Sequence, residues 1–263
     1  MRRAALVLPA VLLLLAGCAS VPEEDDGLLA STAIVRELER ETGDVVAVAR
    51  FSALWPGAPL PEGWRPWGER SGKRPTVYRM SNGGEVTALE AYADGGATGL
   101  HRHIRVDPRQ QSILEWSWRV ESLIPGADKR YARRDDSAAR LVVAFHGDAA
   151  KLDFEQRARL RLIKAVTGQS LPFAIIMYVW ANEVPVETMV PSPHFDRIRL
   201  VVVESGPEHL GEWRRYRRNV LEDYRRVYGE EPGDIVSVGV LTDADNTQHV
   251  AHAWYGDITL REP

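Results

Sequence analysis

The sequence predicts an all-β protein, a jelly-roll-like β-sandwich of about ten strands with two or three peripheral helices. Two observations favour this fold. Short runs rich in Val, Ile, Tyr and Trp recur along most of the 263-residue chain, and clusters of Gly, Pro, Asp and Asn separate them. The chain contains a single cysteine, so a hydrophobic core and not an internal disulfide must hold the fold together.

The composition is that of a water-soluble globular chain. Hydrophobic residues make up 44% of it and charged residues 27%, which excludes collagen-like, low-complexity and multi-span membrane proteins. There are 33 Lys and Arg against 37 Asp and Glu, a net charge of −4. Because nucleic acid selects for a basic surface, this balance argues against nucleic acid as the main partner.

The N-terminus resembles an export signal. Arg2 and Arg3 precede an apolar run over residues 4–16, which is too short to span about 30 Å of hydrocarbon at about 1.5 Å per residue. The run is therefore interpreted as the apolar part of a signal peptide. It leads into Leu-Ala-Gly-Cys, which resembles the bacterial lipobox, with the single cysteine, Cys18, at the lipidation position.

This resemblance implies cleavage before Cys18, acyl chains on that residue and a membrane anchor. Residue 19 is Ala rather than Asp, which implies an outer-membrane protein of the bacterial cell envelope that faces the periplasm. The alternative is an ordinary secretory peptide that happens to contain a cysteine. We expect residues 1–17 to be the signal peptide, 18–44 a lipidated tether with room for a short helix, and 45–263 a single β-sandwich domain.

Ten segments have the composition and turn boundaries of strands. The predicted strands are Val45–Phe51, Thr76–Met80, Val86–Tyr92, Leu100–Val106, Ile113–Val120, Ala138–Phe145, Ala174–Asn182, Ile198–Glu204, Ile235–Leu241 and Val250–Leu260.

Two segments have helical periodicity. Apolar residues recur every three or four positions from Asp153 to Val166 and from Glu212 to Tyr228, which predicts two peripheral helices. The second segment is rich in arginine but also contains acidic residues, so its charges are interpreted as a solvated face. A third, shorter helix is expected over Thr32–Glu41.

Alternation along the predicted strands sorts side chains between the two faces of a sheet. Trp116 and Trp118 share a face, which favours a place in the core. Arg140 lies opposite the apolar residues of its own strand, whereas Trp180 and Asn182 fall together on theirs. If the faces of these strands align, Arg140, Trp180 and Asn182 belong to one polar and aromatic binding surface.

The first acidic candidate site is Asp135 and Asp136, just before the strand that carries Arg140. One interpretation is a polar turn in which the aspartates cap local amides and pair with Arg140. The other is a ligand site, since two adjacent carboxylates that one arginine cannot neutralise suit a cation or sugar hydroxyls.

The second acidic candidate is Asp243, Asp245 and Asn246, between two predicted strands. The alternation of aspartates is similar to a calcium loop, but Thr247 and Gln248 do not fit the EF-hand pattern. A hairpin turn with Asx geometry and a site for calcium or glycan hydroxyls both remain open, with Asp243 and Asp245 as the metal ligands.

Little in the sequence indicates catalysis. His101 and His103 lie on one face of a strand, and half-buried strand histidines are favoured over a metal pair. The chain has no Gly-x-Ser-x-Gly elbow, P-loop, His-Glu-x-x-His or Cys-x-x-Cys motif. An enzyme that uses paired carboxylates on a glycan stays an alternative.

Several segments resemble those of an exported bacterial family of unknown function, the DUF3047 group. They are Ile113–Val120, 135–145, 178–182, 240–247 and 255–258. The resemblance extends over about residues 48–261 and implies a single β-sandwich domain, without an established mechanism. The matching polar residues are Asp135, Asp136, Arg140, Trp180, Asp243, Asp245, Asn246 and Asp257.

The sequence therefore favours a lipid-anchored, non-catalytic β-sandwich that binds a carbohydrate or another small ligand, with a structural calcium ion as an additional expectation. A glycan hydrolase and a scaffold for another envelope protein are the alternatives. The ligand site requires that the two acidic segments, about a hundred positions apart, meet in space.

Overall fold

The computed structural model describes residues 40–41, 43–68, 73–84, 86–167, 171–193 and 195–263. The predicted signal peptide, Cys18 and almost all of the helix predicted over Thr32–Glu41 lie outside the described residues. Within the described chain, no helix has both the length and the apolar content needed to cross a bilayer.

The described domain has thirteen strands and two α-helices. The strands are β1 Val45–Ala49, β2 Trp64–Trp67, β3 Val77–Asn82, β4 Thr87–Asp94, β5 Gly99–Val106, β6 Ile113–Val120, β7 Ser137–Phe145, β8 Ala174–Ala181, β9 Met189–Pro191, β10 Ile198–Ser205, β11 Arg214–Asn219, β12 Ile235–Asp243 and β13 Val250–Arg261. The helices are α1 Phe154–Thr167 and α2 Val220–Tyr228.

The strands form two sheets, which confirms the predicted β-sandwich. Sheet 1 has the order β11-β6-β13-β4-β3, with β1 also paired to β13, and sheet 2 has the order β2-β5-β12-β7-β8-β10-β9. The pairing of β8 with β10 is parallel, and the other ladders are antiparallel. The core lies between the sheets, where Trp116 and Trp118 are buried as predicted.

All ten predicted strands are present, and the three that the sequence pattern missed are edge strands. β2 and β9 close the two ends of sheet 2, and β11 closes one end of sheet 1. β2 and β9 are short and contain Pro66 and Pro191, whereas β11 carries four arginines. Proline and charge protect edges from further pairing, and they also weaken the strand signal.

The helix predicted over Glu212–Tyr228 is wrong in its first half, which is strand β11. Tyr216 pairs with Trp116 across the ladder, and its ring centroid lies 5.1 Å from those of Trp116 and Trp118. This aromatic packing decides the conformation against helical periodicity. Helix α2 begins only after Asn219, whose side chain accepts a hydrogen bond from the Glu222 amide.

His101 and His103 are half-buried on one face of β5, as expected, with ring centroids 4.6 Å apart. Among the described residues, the side chains grouped closely enough to hold a metal ion are Asp136, Asp243 and Asp245, and neither histidine belongs to that group. Burial lowers the pKa of His101 to about 4, and the nearby His103 and Arg65 add to the effect.

The low pKa of His101 makes the free energy of unfolding depend on pH. An unfolded imidazole takes up its proton near pH 6.5, whereas folded His101 takes it up only near pH 4. Between these values the unfolded state binds more protons, so the free energy of unfolding should fall as the pH is lowered through this window. We expect urea midpoints of His101→Gln to change less between pH 6.5 and 4 than those of the wild type. Replacement of exposed His249 by Gln is the control and should keep the wild-type slope.

Candidate functional site

The two acidic segments meet in space, as the ligand-site interpretation required. Antiparallel pairing of β12 with β7 places Asp243 opposite Ser137, so the end of one strand lies beside the start of the other. One carboxylate oxygen from each of Asp136, Asp243 and Asp245 lies within 4.8 Å of the others. Residues from both predicted sites therefore form one acidic cluster.

Asp136 holds the loop between β12 and β13. Its Oδ1 accepts hydrogen bonds from the Asn246 amide at 3.0 Å and from Asn246 Nδ2 at 3.1 Å. Its Oδ2 accepts from the Thr247 amide at 2.7 Å and from Thr247 Oγ1 at 2.6 Å. Burial would raise the pKa of Asp136, but the interaction with the Asp243 carboxyl group and hydrogen bonds from Thr247 and the Asn246 amide outweigh it and hold the pKa below its ordinary value.

Two buried cations balance the cluster. Arg140, only 3% exposed, donates from Nη2 to Asp243 Oδ2 at 2.8 Å and to the carbonyl oxygen of Asp135. Lys129, 2% exposed, donates to the carbonyl oxygen of Asp136. Burial lowers the pKa of Lys129 to about 7, with Arg140 acting in the same direction. The charges are thus largely compensated within the protein.

Lys129 is a site residue that the sequence pattern does not reveal. It stands in a polar loop between Asp128 and Arg130, where every local feature indicates solvent exposure. Its burial follows only from the way this loop packs against the start of β7.

Asp243 carries an oxygen without a hydrogen-bond partner among the described residues. Its Oδ1 is buried, and so is Oδ1 of Asp245, which is likewise without a partner. Burial raises the pKa of Asp243 well above its ordinary value, while Arg140 opposes the rise. A proton on Asp243 that it shares with Asp136, or a cation, would satisfy this oxygen.

The structure places Trp180 and Asn182 away from the acidic cluster. Arg140 pairs with Val179 across the β7–β8 ladder, so the next residue, Trp180, points to the opposite face of sheet 2. The Trp180 indole donates to the Gly206 carbonyl at 3.1 Å, and the Asn182 amide donates to the Ile124 carbonyl at 2.7 Å. Arg140 therefore does not share a face of sheet 2 with Trp180, and the predicted surface of Arg140, Trp180 and Asn182 does not form.

A second feature, the sheet 1 groove, is open to solvent. It has a volume of about 670 Å³ and is lined by Glu115, Ser117, Trp213, Arg215, Arg217 and Asp257, among others. Glu115 and Ser117 alternate with the core tryptophans of β6, so they belong to the outer face of sheet 1. None of the residues of the buried acidic cluster lines this groove.

A β-bulge builds the floor of the sheet 1 groove. Tyr255 pairs with Trp118 and Ile258 with Trp116, so β13 has one extra residue between these pairs. The bulge turns Gly256 and Asp257 toward the groove, where Asp257 accepts hydrogen bonds from the Ser52 amide and hydroxyl at 2.9 and 2.6 Å. A Cβ at position 256 would lie 2.2 Å from Ser117 Oγ, which explains the glycine.

Trp213 forms part of the groove wall. Its indole donates to the Gly83 carbonyl at 2.8 Å, and a Cβ on Gly83 would lie 2.9 Å from the Trp213 ring. The Arg119 guanidinium lies 5.8 Å from the centroid of this ring. These contacts hold a half-buried aromatic side chain in one orientation at the edge of the groove.

Arginine dominates the charge of the sheet 1 groove. Glu115 is shared by Arg217 at 3.4 Å and Arg261 at 3.1 Å. Arg215 is exposed and makes no ion pair with another described residue. The groove is therefore locally positive in a chain whose net charge is −4. The groove was not predicted, because the spacing of apolar residues places Trp213, Arg215 and Arg217 in a helix.

By its architecture this protein is a two-sheet β-sandwich, with an open polar groove on one sheet and a buried charge cluster where two central strands of the other sheet end and begin. The chain belongs to the family described as protein of unknown function (DUF3047), whose family model matches residues 62–259. No curated protein matches the chain.

Solved structures are also similar to the chain, among them the following three. The carbohydrate-binding module CBM29_1 from Piromyces equi is 10% identical, with a TM-score of 0.33 over 82% of this chain and 88% of that chain. The xylan-binding module CBM15 is 10% identical, with a TM-score of 0.34 over 84% and 97%. The Stig cyclase Fisc from Fischerella sp. TAU is 9% identical, with a TM-score of 0.37 over 83% and 98%. The function of this chain must therefore be inferred from its own residues.

Proposed function

We propose that this protein is a non-catalytic saccharide-binding β-sandwich and that the ligand lies in the sheet 1 groove. The observation that carries the proposal is the constrained Trp213 beside exposed Arg215 and Arg217. An aromatic ring offers an apolar face for a sugar ring, and neighbouring guanidinium and hydroxyl groups offer hydrogen bonds to its substituents. The local excess of arginine favours a saccharide that carries carboxylates.

The positions of the acidic groups disfavour a glycan hydrolase. Asp136 is 1% exposed and Asp243 is 7% exposed, so neither presents its carboxyl group to a polymer. In the sheet 1 groove, two arginines hold Glu115, and Ser52 holds Asp257. The groove therefore supports binding better than acid-base chemistry on a glycosidic bond.

Substitution of Trp213 tests the proposal. We expect calorimetric titration with xylohexaose, mannohexaose and hexagalacturonate to show binding of the uronate oligomer, and Trp213→Ala to weaken it about tenfold or more because the stacking surface is lost. Trp55→Ala is the control, since Trp55 is 65% exposed and does not line the groove. Release of reducing ends by the wild type, or no binding of any of the three oligomers, would contradict the proposal.

A structural cation at the acidic cluster is our second proposal. One carboxylate oxygen of each of Asp136, Asp243 and Asp245 lies within 4.8 Å of the others, and Asp243 and Asp245 each have a buried oxygen without a partner among the described residues. Carboxylate oxygens are the ligands that calcium prefers. We expect calcium to raise the melting temperature of the chelator-treated wild type and not that of Asp245→Asn. Equal melting curves with and without calcium would indicate that Asp243 holds a proton instead.

We also propose that the protein is anchored in the bacterial envelope through lipid on Cys18 and faces the periplasm from the outer membrane. The support is the sequence pattern over residues 1–19 alone. An envelope protein partner belongs to the same proposal, because an anchored domain is available to neighbours on the membrane. Metabolic labelling with palmitate should mark the wild type and leave Cys18→Ala unmarked.

A further inference from the structure

Helix α1 presents an apolar stripe to solvent. Phe154 is 80% exposed and Leu162 is 63% exposed, and Ala158 and Ala165 are exposed as well. At about 100° per residue these four positions share one side of the helix. Leu160, which points the other way, is buried and attaches the helix to the domain. The exposed stripe is therefore not the face that packs on the protein.

Basic side chains border this stripe. Helix α1 contains Arg157, Arg159, Arg161 and Lys164 against a single acid, Glu155. By helical geometry, Arg159 lies on one side of the stripe and the other three cations on the other side. None of the four forms an ion pair with another described residue. A chain with a net charge of −4 thus concentrates positive charge around the exposed apolar residues Phe154 and Leu162.

We propose that the exposed face of helix α1 binds the surface of an anionic lipid bilayer. An apolar stripe bordered by long cationic side chains is the pattern of a helix that lies in the membrane interface, because the stripe enters the acyl boundary while the cations remain among the phosphates. Each basic residue near an anionic surface adds electrostatic attraction to it, and this attraction decays over a Debye length. The inference is independent of saccharide binding and of lipid on Cys18.

Vesicle binding by the domain without its N-terminal region tests this assignment. All thirteen strands, both helices and every described core residue lie after residue 44, so a chain that starts at residue 28 retains the described fold and lacks Cys18. We expect this chain to sediment with vesicles of phosphatidylglycerol and phosphatidylcholine at 3:7 but not with phosphatidylcholine alone, and to be released by salt.

Matched variants locate the contact. Arg159→Ser with Arg161→Ser should weaken vesicle binding about tenfold or more, at roughly fivefold per arginine. Phe154→Ser with Leu162→Ser should weaken it about tenfold. Arg225→Ser with Arg226→Ser makes the same charge change on α2, where acidic residues already pair with both arginines, and should leave binding within about twofold.

A probe in the stripe reports its depth. The tryptophan emission of Phe154→Trp should shift to shorter wavelength with the anionic vesicles and should not shift with the neutral ones. The proposal is overturned if the wild-type chain does not bind anionic vesicles. It is likewise overturned if the arginine variant of α2 loses as much vesicle binding as the arginine variant of α1. It is also overturned if the stripe instead joins two copies, seen as a dimer in sedimentation velocity that Phe154→Ser dissociates.

Discussion

Arg140→Met is expected to lower the free energy of unfolding by about 3–5 kcal/mol, since it removes one partner from a buried ion pair. The arginine side chain is 4% exposed and that of Asp243 is 10% exposed, so water cannot replace the lost contact without reorganisation. Among the described residues, Lys129 would then remain as the buried cation beside Asp135 and Asp136. For a domain of this size, the midpoint of thermal unfolding should fall by about 6–20 °C.

A second variant separates loss of charge balance from loss of packing. Adding Asp243→Asn to Arg140→Met removes an anion together with the cation and should restore part of the lost stability. Arg130→Met is the surface control, because the Arg130 side chain that pairs with Asp128 is 57% exposed, and its loss should change the melting temperature far less than Arg140→Met does. A fall of less than about 1 kcal/mol in Arg140→Met would show that the cluster is not a buried ionic network.

Asp136→Asn is expected to lower the free energy of unfolding by about 3 kcal/mol and to release the loop after β12. The carboxylate accepts four hydrogen bonds from Asn246 and Thr247. In asparagine an NH2 group replaces one carboxylate oxygen and faces the donors of Asn246 or Thr247. At least the two hydrogen bonds to that oxygen are therefore lost. Hydrogen exchange of the Asn246 and Thr247 amides should become faster, whereas exchange within β6 should not change.

Asp245→Asn is the matched control for this prediction when chelator is present. Asp245 belongs to the same loop, but its carboxylate pairs with exposed Lys73 at 2.8 Å. Its replacement should leave amide exchange of Thr247 unchanged. Equal acceleration in both variants would mean that general repulsion within the loop, and not the hydrogen bonds to Asp136, controls its order.

The strands of the sandwich core could be predicted because their signal is local. In β6, alternation alone places Trp116 and Trp118 inside and Glu115 outside, as observed. The local pattern predicted a helix at β11 and was wrong there. Tyr216 lies in a strand because its ring packs against Trp116 and Trp118. The short sequence of β11 is compatible with the helical period of three or four residues and with the strand period of two, and only its packing decides between a helix and a strand.

The candidate site was predicted in part. Asp136, Asp243 and Asp245 were identified by residue type, and the tertiary structure brought them together. Trp180 did not join them, because the β7–β8 register sends it to the other face of the sheet. The sheet 1 groove was missed because it depends on an edge strand and on a bulge, neither of which has a strong local pattern.

The sequence by itself determined the all-β class, the positions of the central strands along the chain and the side chains of β6 that face the core, because each depends on neighbours within a few positions. The tertiary structure decided which distant residues meet. It buried Lys129 beside acids of two strands, and it turned Asp257 outward at a bulge opposite Ser117. These features depend on the registers between strands, and a register is a property of two segments that the order of residues in either one does not contain.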